Sequence, residues 1–584
     1  MLRIFTFASL LLAFAGFTPR AQACGGFFCN NSLPVNQAAE RILFAQNADG
    51  TTTAVIQIQY EGPSENFAWM LPVQGNPEVG VSSDLVFTLL QQATNPSYTL
   101  NREFEGTCSA GFASTGGGFG CGGDADAASA GGFDAGALPP PMVEVVNSGS
   151  IGPFDFVTIS VRRDAEDIAT VATDWLIESG YDVSPLGRDR LVPYLEGGMN
   201  LLAFRLTKGA DAGEIRPIRL SFGEGLPSIP LRPTAAAATP DMGILVWVLG
   251  QARAVPANYR SLELNETLIN WFSPGTNYTD IVTEAANEAG GQGFVTEFAG
   301  SSAGFDDVVL PPFFEQQFER VRQEAEADFR GDSTLIQDAT RIFQLPGTPG
   351  AFGLDASLGF ESGQYWEGVE QVVLDEVPKP ESVREELWRD APLTYLDSLP
   401  FTIEGFDRSA FLDRLEAEVL EPVRATAALF RDSPTLTRLF TTMSPDEMTM
   451  DPVFDFNADL PNVDNAHTLT QVIECNSNVS QGAAPWRIVF DDGTVVRGLG
   501  SATWPLTPSE DLPAVARARR VGTTGEGEVI LDNSATIAAA IERNNDALPP
   551  ASGGGDSCSS RGGPIGSGLF TLGLGLLAIR RRRP

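Results

Sequence analysis

A chain of 584 residues with 43% hydrophobic content can bury sizeable cores, has room for two or three domains, and is too apolar to be disordered throughout. Its formal charge is −37, with arginine supplying nearly all of the 38 basic residues and only Lys208 and Lys379 as lysines. Such a polyanion finds no attraction in nucleic acid or in an anionic membrane surface, which argues against both as partners of the folded body.

The first residues read as a secretion signal. Met1-Leu2-Arg3 is a short positive start, Ile4–Phe17 is apolar, and Ala21-Gln22-Ala23 is an A-x-A cleavage site. Residues 1–23 are therefore expected to be removed after Ala23, leaving Cys24 at the front. Two strand-like runs follow, Ala54–Tyr60 and Asn66–Val73. Ile56, Ile58 and Tyr60 alternate with Gln57 and Gln59, and Phe67, Trp69, Leu71 and Val73 alternate in the second run. With Glu61-Gly62-Pro63-Ser64-Glu65 between them, the pattern predicts a β-hairpin with one buried face.

Residues 109–141 are rich in Gly, Ala, Ser and Asp and read as a disordered insertion. Strand patterns then appear at Phe154–Val161, Asn200–Leu206, Arg216–Phe222 and Ile244–Leu249, the last apolar throughout as a strand covered on both faces would be. Helices are expected at Asp164–Ser179, with Gly180 as its stop, and at Thr279–Ala289. Residues 24–300 thus form an α+β domain with a mixed or antiparallel sheet.

Residues 301–450 read as a helical middle subdomain. Phe314, Phe318, Val321, Ala325 and Phe329 make one apolar stripe behind Pro311-Pro312. Ser382 and Glu385 predict a capping box, Asp407 predicts an N-cap, and Pro422 predicts a kink. Residues 451–548 return to strands at Thr468–Cys475, Trp486–Phe490 and Thr494–Val496, the last two turning at Asp491-Asp492-Gly493. Residues 549–563 are a flexible linker.

Residues 564–584 close the chain as a hydrophobic tail, Ile565–Ile579, stopped by Arg580–Arg583. With Cys558 before it, this set resembles the myxobacterial C-terminal sorting tail, although Ser559 and Ser560 stand where many such tails carry a second cysteine. The resemblance implies recognition by a sorting protease or translocation machinery, membrane contact through the tail before processing near Cys558, and display on the cell surface.

Six cysteines are present, at 24, 29, 108, 121, 475 and 558. In an oxidising setting the local pairings are Cys24 with Cys29 and Cys108 with Cys121, the second closing a Gly-rich loop. A long-range bond from Cys475 to one of the N-terminal cysteines competes with them. Zinc is disfavoured, because no C-x-x-C spacing exists and the one histidine is His467.

Several stretches also carry a family resemblance. They are Cys24-Gly25-Gly26-Phe27-Phe28-Cys29, Gln37-Ala38-Ala39-Glu40-Arg41-Ile42, Phe67-Ala68-Trp69-Met70-Leu71-Pro72-Val73, Asn277-Tyr278 through Gly293-Phe294-Val295-Thr296-Glu297, and Asp451-Pro452-Val453-Phe454. Together they resemble the secreted bacterial family called domain of unknown function 2330, over most of residues 24–500. That family brings no assigned activity and no catalytic residues.

Two motifs bear on chemistry. Gly300-Ser301-Ser302-Ala303-Gly304 matches G-x-S-x-G, with His467 downstream, but Phe305-Asp306-Asp307-Val308 makes a poor helix for a nucleophile elbow. Asp455, Asn457 and Asp459 have the oxygen spacing of a calcium loop, yet Leu460 and Ala466 stand where glycine and glutamate are required, which excludes an EF-hand and leaves an irregular calcium site, on ligand type alone, as the alternative to an acidic solvated loop. Trp366, Trp486 and Trp504 could line a ligand surface, but a tryptophan in such a chain is more often core. The reading is a secreted, surface-displayed protein, non-enzymatic and without a cofactor, with a hydrolase built on Ser302 and His467 as the alternative.

Overall fold

The computed structural model describes residues 36–61, 68–108, 142–181, 185–206, 215–236, 238–327, 331–345, 364–476, 478–500, 504 and 506–548. The expectations placed on residues 1–23, Cys24, Cys29, 109–141 with Cys121, and 549–584 with Cys558 lie outside these residues.

The first hairpin forms around Asn47-Ala48-Asp49-Gly50. Gly50 takes φ +86°, a left-handed conformation that favours glycine, and its N–H donates to the Asn47 carbonyl at 3.0 Å. The Asn47 amide donates to the Thr51 and Thr53 hydroxyls at 2.8 and 2.9 Å. This turn folds β1 (Asn36–Gln46) onto β2 (Thr51–Glu61) in antiparallel register.

The predicted hairpin between Ala54–Tyr60 and Asn66–Val73 is therefore not formed. β3 (Ala68–Val73) pairs instead with β8 (Asn200–Leu206), in a different sheet. The reason is burial: Trp69, Met70, Leu71 and Val73 are all buried, so this run needs cover on both faces. The Ile42-Leu43-Phe44-Ala45 run of β1 likewise reads as a two-sided core strand, and it takes β2 as its neighbour.

Among the described residues the strands make four sheets. The central one has ten strands in the order β20 (Glu528–Asp532), β19 (Val515–Arg520), β12 (Arg260–Leu264), β13 (Gly293–Ser301), β14 (Thr435–Met443), β10 (Ala238–Gly250), β1, β2, β9 (Ile218–Glu224) and β4 (Glu78–Val81). A four-stranded antiparallel sheet runs β3, β8, β7 (Phe154–Val161), β6 (Val143–Ile151). A second runs β18 (Val495–Leu499), β17 (Pro485–Val489), β16 (Ala466–Glu474), β5 (Ser97–Glu105), and β11 (Arg253–Pro256) pairs with β15 (Phe454–Asn457). Parallel pairs occur at β1/β10, β12/β13 and β5/β16, and the rest are antiparallel. The fold is α+β, with mixed and antiparallel sheets.

Alternation along β1 sorts two cores. Ile42 and Phe44 join Val246, Phe154 and Phe204, under α2 (Ile168–Glu178) and α3 (Pro185–Glu196). Leu43 and Ala45 join Trp247 and Phe87 on the opposite face, beneath α1 (Asp84–Thr94) and a helical layer. Short α4 (Leu231–Thr234) borders the first core, whereas α5 (Tyr278–Glu288) packs into a third core with Tyr98, Leu469 and Trp486.

The helical layer comprises α6 (Phe305–Val309), α7 (Pro312–Ala327), α8 (Asp332–Ile342), α9 (Val369–Glu376), α10 (Glu385–Asp390), α11 (Arg408–Leu415) and α12 (Glu421–Arg431). Phe314, Phe318 and Val321 of the predicted stripe are buried in it. Asp407 caps α11 by accepting from the Ala410 N–H at 3.1 Å, as expected. Between α11 and α12 the chain makes a π-turn, Glu416–Leu420, just ahead of Pro422, whose missing N–H disturbs the regular ladder there.

Three local expectations are corrected. α10 begins at Glu385 after Arg384 with no side-chain cap, so the Ser382 box is absent. α2 begins four residues later than read, because Asp167 rather than Asp164 accepts from a first-turn N–H, that of Thr170 at 3.0 Å. β14 lies inside the stretch read as helical, and α13 (Ser534–Ala547) inside the stretch read as strands. Trp366, Trp486 and Trp504 are all core residues, 3–4% exposed.

Candidate functional site

Ser302 follows β13 directly, and α6 begins at Phe305 after Gly304 at φ +87°. A strand, a turn and a short helix thus do surround the G-x-S-x-G motif, the helix being the five residues Phe305–Val309 where a poor helix was expected. The chemistry is nevertheless blocked at the side chain. Ser302 is 2% exposed, and its hydroxyl donates to the Ser433 carbonyl, with the Phe430 carbonyl 3.4 Å away. His467 sits on β16, its Nδ1 3.1 Å from Glu266 Oε1 and its ring stacked on Tyr98 at 4.8 Å. Burial pulls the His467 pKa down, but the Glu266 hydrogen bond and the charges of Glu266, Asp464 and Asp491 outweigh it and leave it raised. Each residue has a different partner, so the pair is not a catalytic couple.

Two of the calcium candidates, Asn457 and Asp459, brace a loop. Asn457 is fully buried, and its amide donates to the carbonyls of Gly522 and Gly525 at 2.7 and 2.9 Å. Asp459 accepts from the Gly525 N–H at 2.8 Å, and Asp455 accepts from Phe456 N–H at 2.8 Å. The amide nitrogen of Asn457, a donor, faces the loop. Among the described residues no group of three or more His, Cys, Asp or Glu side chains could hold a metal ion.

The predicted Cys108–Cys121 bond is corrected: Cys475 takes Cys108 rather than an N-terminal cysteine. Cys108 is joined to Cys475, across 367 residues of sequence. The reason lies in the sheet: β5 and β16 run parallel in register from Ser97 opposite Ala466 to Glu105 opposite Glu474, so both cysteines emerge at the same end. Cys475 N–H also donates to the Glu105 carbonyl at 2.7 Å.

The most developed polar arrangement lies between α1 and the central sheet. At the C-terminal end of α1, Arg438 of β14 pairs with Glu297 of β13, the two side chains 4% and 1% exposed. Arg438 Nη1 also donates to Thr94 Oγ1 at 3.1 Å and to the Gln91 carbonyl at 3.3 Å, placing a cation at the negative end of the helix. Its guanidinium lies over the Trp247 ring at 5.4 Å, while Trp247 Nε1 donates to Thr94 Oγ1 at 3.0 Å. The Tyr278 hydroxyl hydrogen-bonds the same carboxylate; burial pushes Glu297 up, with Arg438 pulling against it.

At the N-terminal end of α1, three consecutive residues are held by the helical layer. Ser82 Oγ meets Thr426 Oγ1 of α12 at 2.8 Å, Ser83 Oγ donates to Glu367 Oε2 at 2.5 Å, and the Asp84 N–H donates to Glu367 Oε1 at 3.0 Å. From the sheet, Gln57 Nε2 donates to Asp84 Oδ1 at 2.6 Å, and Arg41 Nη1 donates to Gln57 Oε1 at 3.1 Å. Buried Arg216 donates to the Glu418 carbonyl at 2.9 Å. Burial, with the charge of Glu367 beside it, pushes Asp84 up to about 7. Glu40, on the other face of β1, is also pushed up to about 7 by burial, and its Oε2 has no hydrogen-bond partner.

This arrangement joins α1 to the sheet on one side and to the helical layer on the other. Sequence patterns missed Arg438, Asp84, Glu367 and Arg216 as a constellation because they converge from distant segments. One signal was present: Arg438 interrupts the strand run Leu436–Phe440, and a lone charge in such a run calls for a buried partner.

No curated protein and no solved structure matches the chain. The family model described as "Uncharacterized protein conserved in bacteria (DUF2330)" matches residues 18–314, just over half of the 584. The match includes Arg41, Gln57, Asp84, Arg216 and Glu297. It ends before Glu367, Arg438 and the Asp451–Phe454 stretch, so it is shorter than the resemblance read from sequence. The chain belongs to this bacterial family, DUF2330, uncharacterized and conserved.

Proposed function

We propose that the chain is a secreted protein displayed at the cell surface, with a non-enzymatic role in envelope structure, adhesion or ligand capture. The observation that carries the location is the Cys108–Cys475 bond, because such a structural disulfide persists in an oxidising compartment. The signal-like residues 1–23 and the Arg-stopped tail support it. Processing after Ala23 and near Cys558 follows from the same reading, with a sorting protease or translocation machinery as partner.

The non-enzymatic role rests on Ser302, whose hydroxyl is buried and already donated to a main-chain carbonyl. The strand, turn and helix around it favour a serine hydrolase as the second reading. A fluorophosphonate probe separates the two. The purified soluble body is expected to remain unlabelled, whereas labelling that disappears in Ser302→Ala would establish the hydrolase.

A further inference from the structure

The Ser82-Ser83-Asp84 junction is a contact between two parts of the chain, and its chemistry is unusual for a purely structural contact. The part inside the family match supplies all three residues, together with Gln57, Arg41 and Arg216. The part beyond it supplies Glu367, Thr426 and the Glu418 carbonyl. Glu367 arrives immediately before α9 and spans both a side-chain and a main-chain donor, so it closes the first turn of α1 in the manner of an anion at a helix N-terminus. Asp84 occupies the first position of that same turn.

Two carboxyl groups thus share one helix end. We propose that the junction is a proton-operated latch, in which protonation of Asp84 tightens the docking of the helical layer on α1 and ionisation loosens it.

The groups facing Asp84 define its electrostatics. Gln57 hydrogen-bonds it from β2, and Arg41 of β1 and Arg216 from the segment before β9 favour its charge. Glu367 opposes that charge. Arg216 is itself drawn toward Glu367 and Glu418. Arg438 of β14 acts on Arg41 from further along the sheet. The remainder of α1 carries no charged side chain. Burial and Glu367 together prevail over the two arginines, so the docked state holds the Asp84 proton more tightly than the undocked state.

The sign follows from that inequality. A carboxyl with a raised pKa in the docked state keeps its proton there up to about 7, whereas an exposed aspartate loses it near about 4. Docking is therefore tightest at the acid end, weakens between these values, and levels off above them.

Hydrogen exchange on the full chain tests this. After correction for intrinsic rates, amides of α1 and α9 are expected to lose protection roughly tenfold per pH unit between pH 5 and 7. Asp84→Asn, a neutral stand-in for the protonated acid, should abolish the dependence while retaining the protection seen at the acid end. Glu40→Gln should leave the dependence in place, since Glu40 lies on the opposite face of the sheet. Glu367→Gln should move it to lower pH, which keeps the test decisive if Asp84→Asn does not fold. A pH-independent wild type, an Asp84→Asn variant that still responds, or a Glu367→Gln response at the wild-type pH would each overturn the latch.

Discussion

Cys475→Ser is expected to destabilise the protein by about 5 kcal/mol, the upper end of what one disulfide contributes. The bond spans 367 residues, and in the chain-entropy account a longer closed loop removes more freedom from the unfolded chain. It also fixes β5, an edge strand whose residues are mostly exposed, to β16 of the return segment. Without it, β5 keeps its main-chain ladder but has few buried side chains, Tyr98 chief among them, to hold it. Urea unfolding of the oxidised wild type, Cys475→Ser and Cys108→Ser measures the loss. Both variants should fall by the same amount, and the double variant should fall no further. Wild-type stability in Cys475→Ser would mean that the bond does not form.

Arg438→Met with Glu297 left in place should cost about 3–5 kcal/mol, because it strands a carboxyl in the interior. The lost guanidinium also leaves the Gln91 carbonyl and the face of Trp247 without their cation. Replacing both partners, Arg438→Met with Glu297→Leu, should recover much of the loss, since the desolvation cost of both charges disappears with them. Thermal or denaturant midpoints of the two single variants and the double variant form the cycle that separates pairing from burial. Additive losses would show that the two side chains act independently.

How much of this was legible in the sequence depended on the range of the signal. Strands with local patterns, such as Phe154–Val161 and Asn200–Leu206, were readable because their alternation or apolar runs depend only on neighbours. The Phe314, Phe318, Val321 stripe was readable for the same reason.

Pairing was not. β2 and β3 follow one another across a plausible turn, yet β2 pairs with β1 and β9 in the central sheet and β3 with β8 in another, and the local alternation does not encode those partners. The cysteines failed in the same way: a short Gly-rich loop favoured Cys121, while the parallel register of β5 and β16 delivered Cys475 to Cys108. The α1 junction was the hardest to foresee, since Gln57, Asp84, Arg216, Glu367 and Glu418 come from five separate stretches and none forms a motif. Asp455, Asn457 and Asp459 carried a metal-like spacing, of which Asn457 and Asp459 brace a loop, and nothing in residue type distinguishes the two uses.

The location and state of the mature protein bear most directly on the account. Removing residues 1–23 and 559–584 takes away Arg3, Arg20, Arg561 and Arg580–Arg583 and no acidic residue, so basic residues fall from 38 to 31 and the charge moves from −37 to −44. Intact-mass analysis and non-reducing peptide mapping of the protein released from intact cell surfaces should therefore find a chain that starts at Cys24, ends near Cys558 and contains the Cys108–Cys475 cross-linked peptide. A species confined to the cell interior, still carrying residues 1–23 and the terminal arginines, with Cys108 and Cys475 as free thiols, would contradict it.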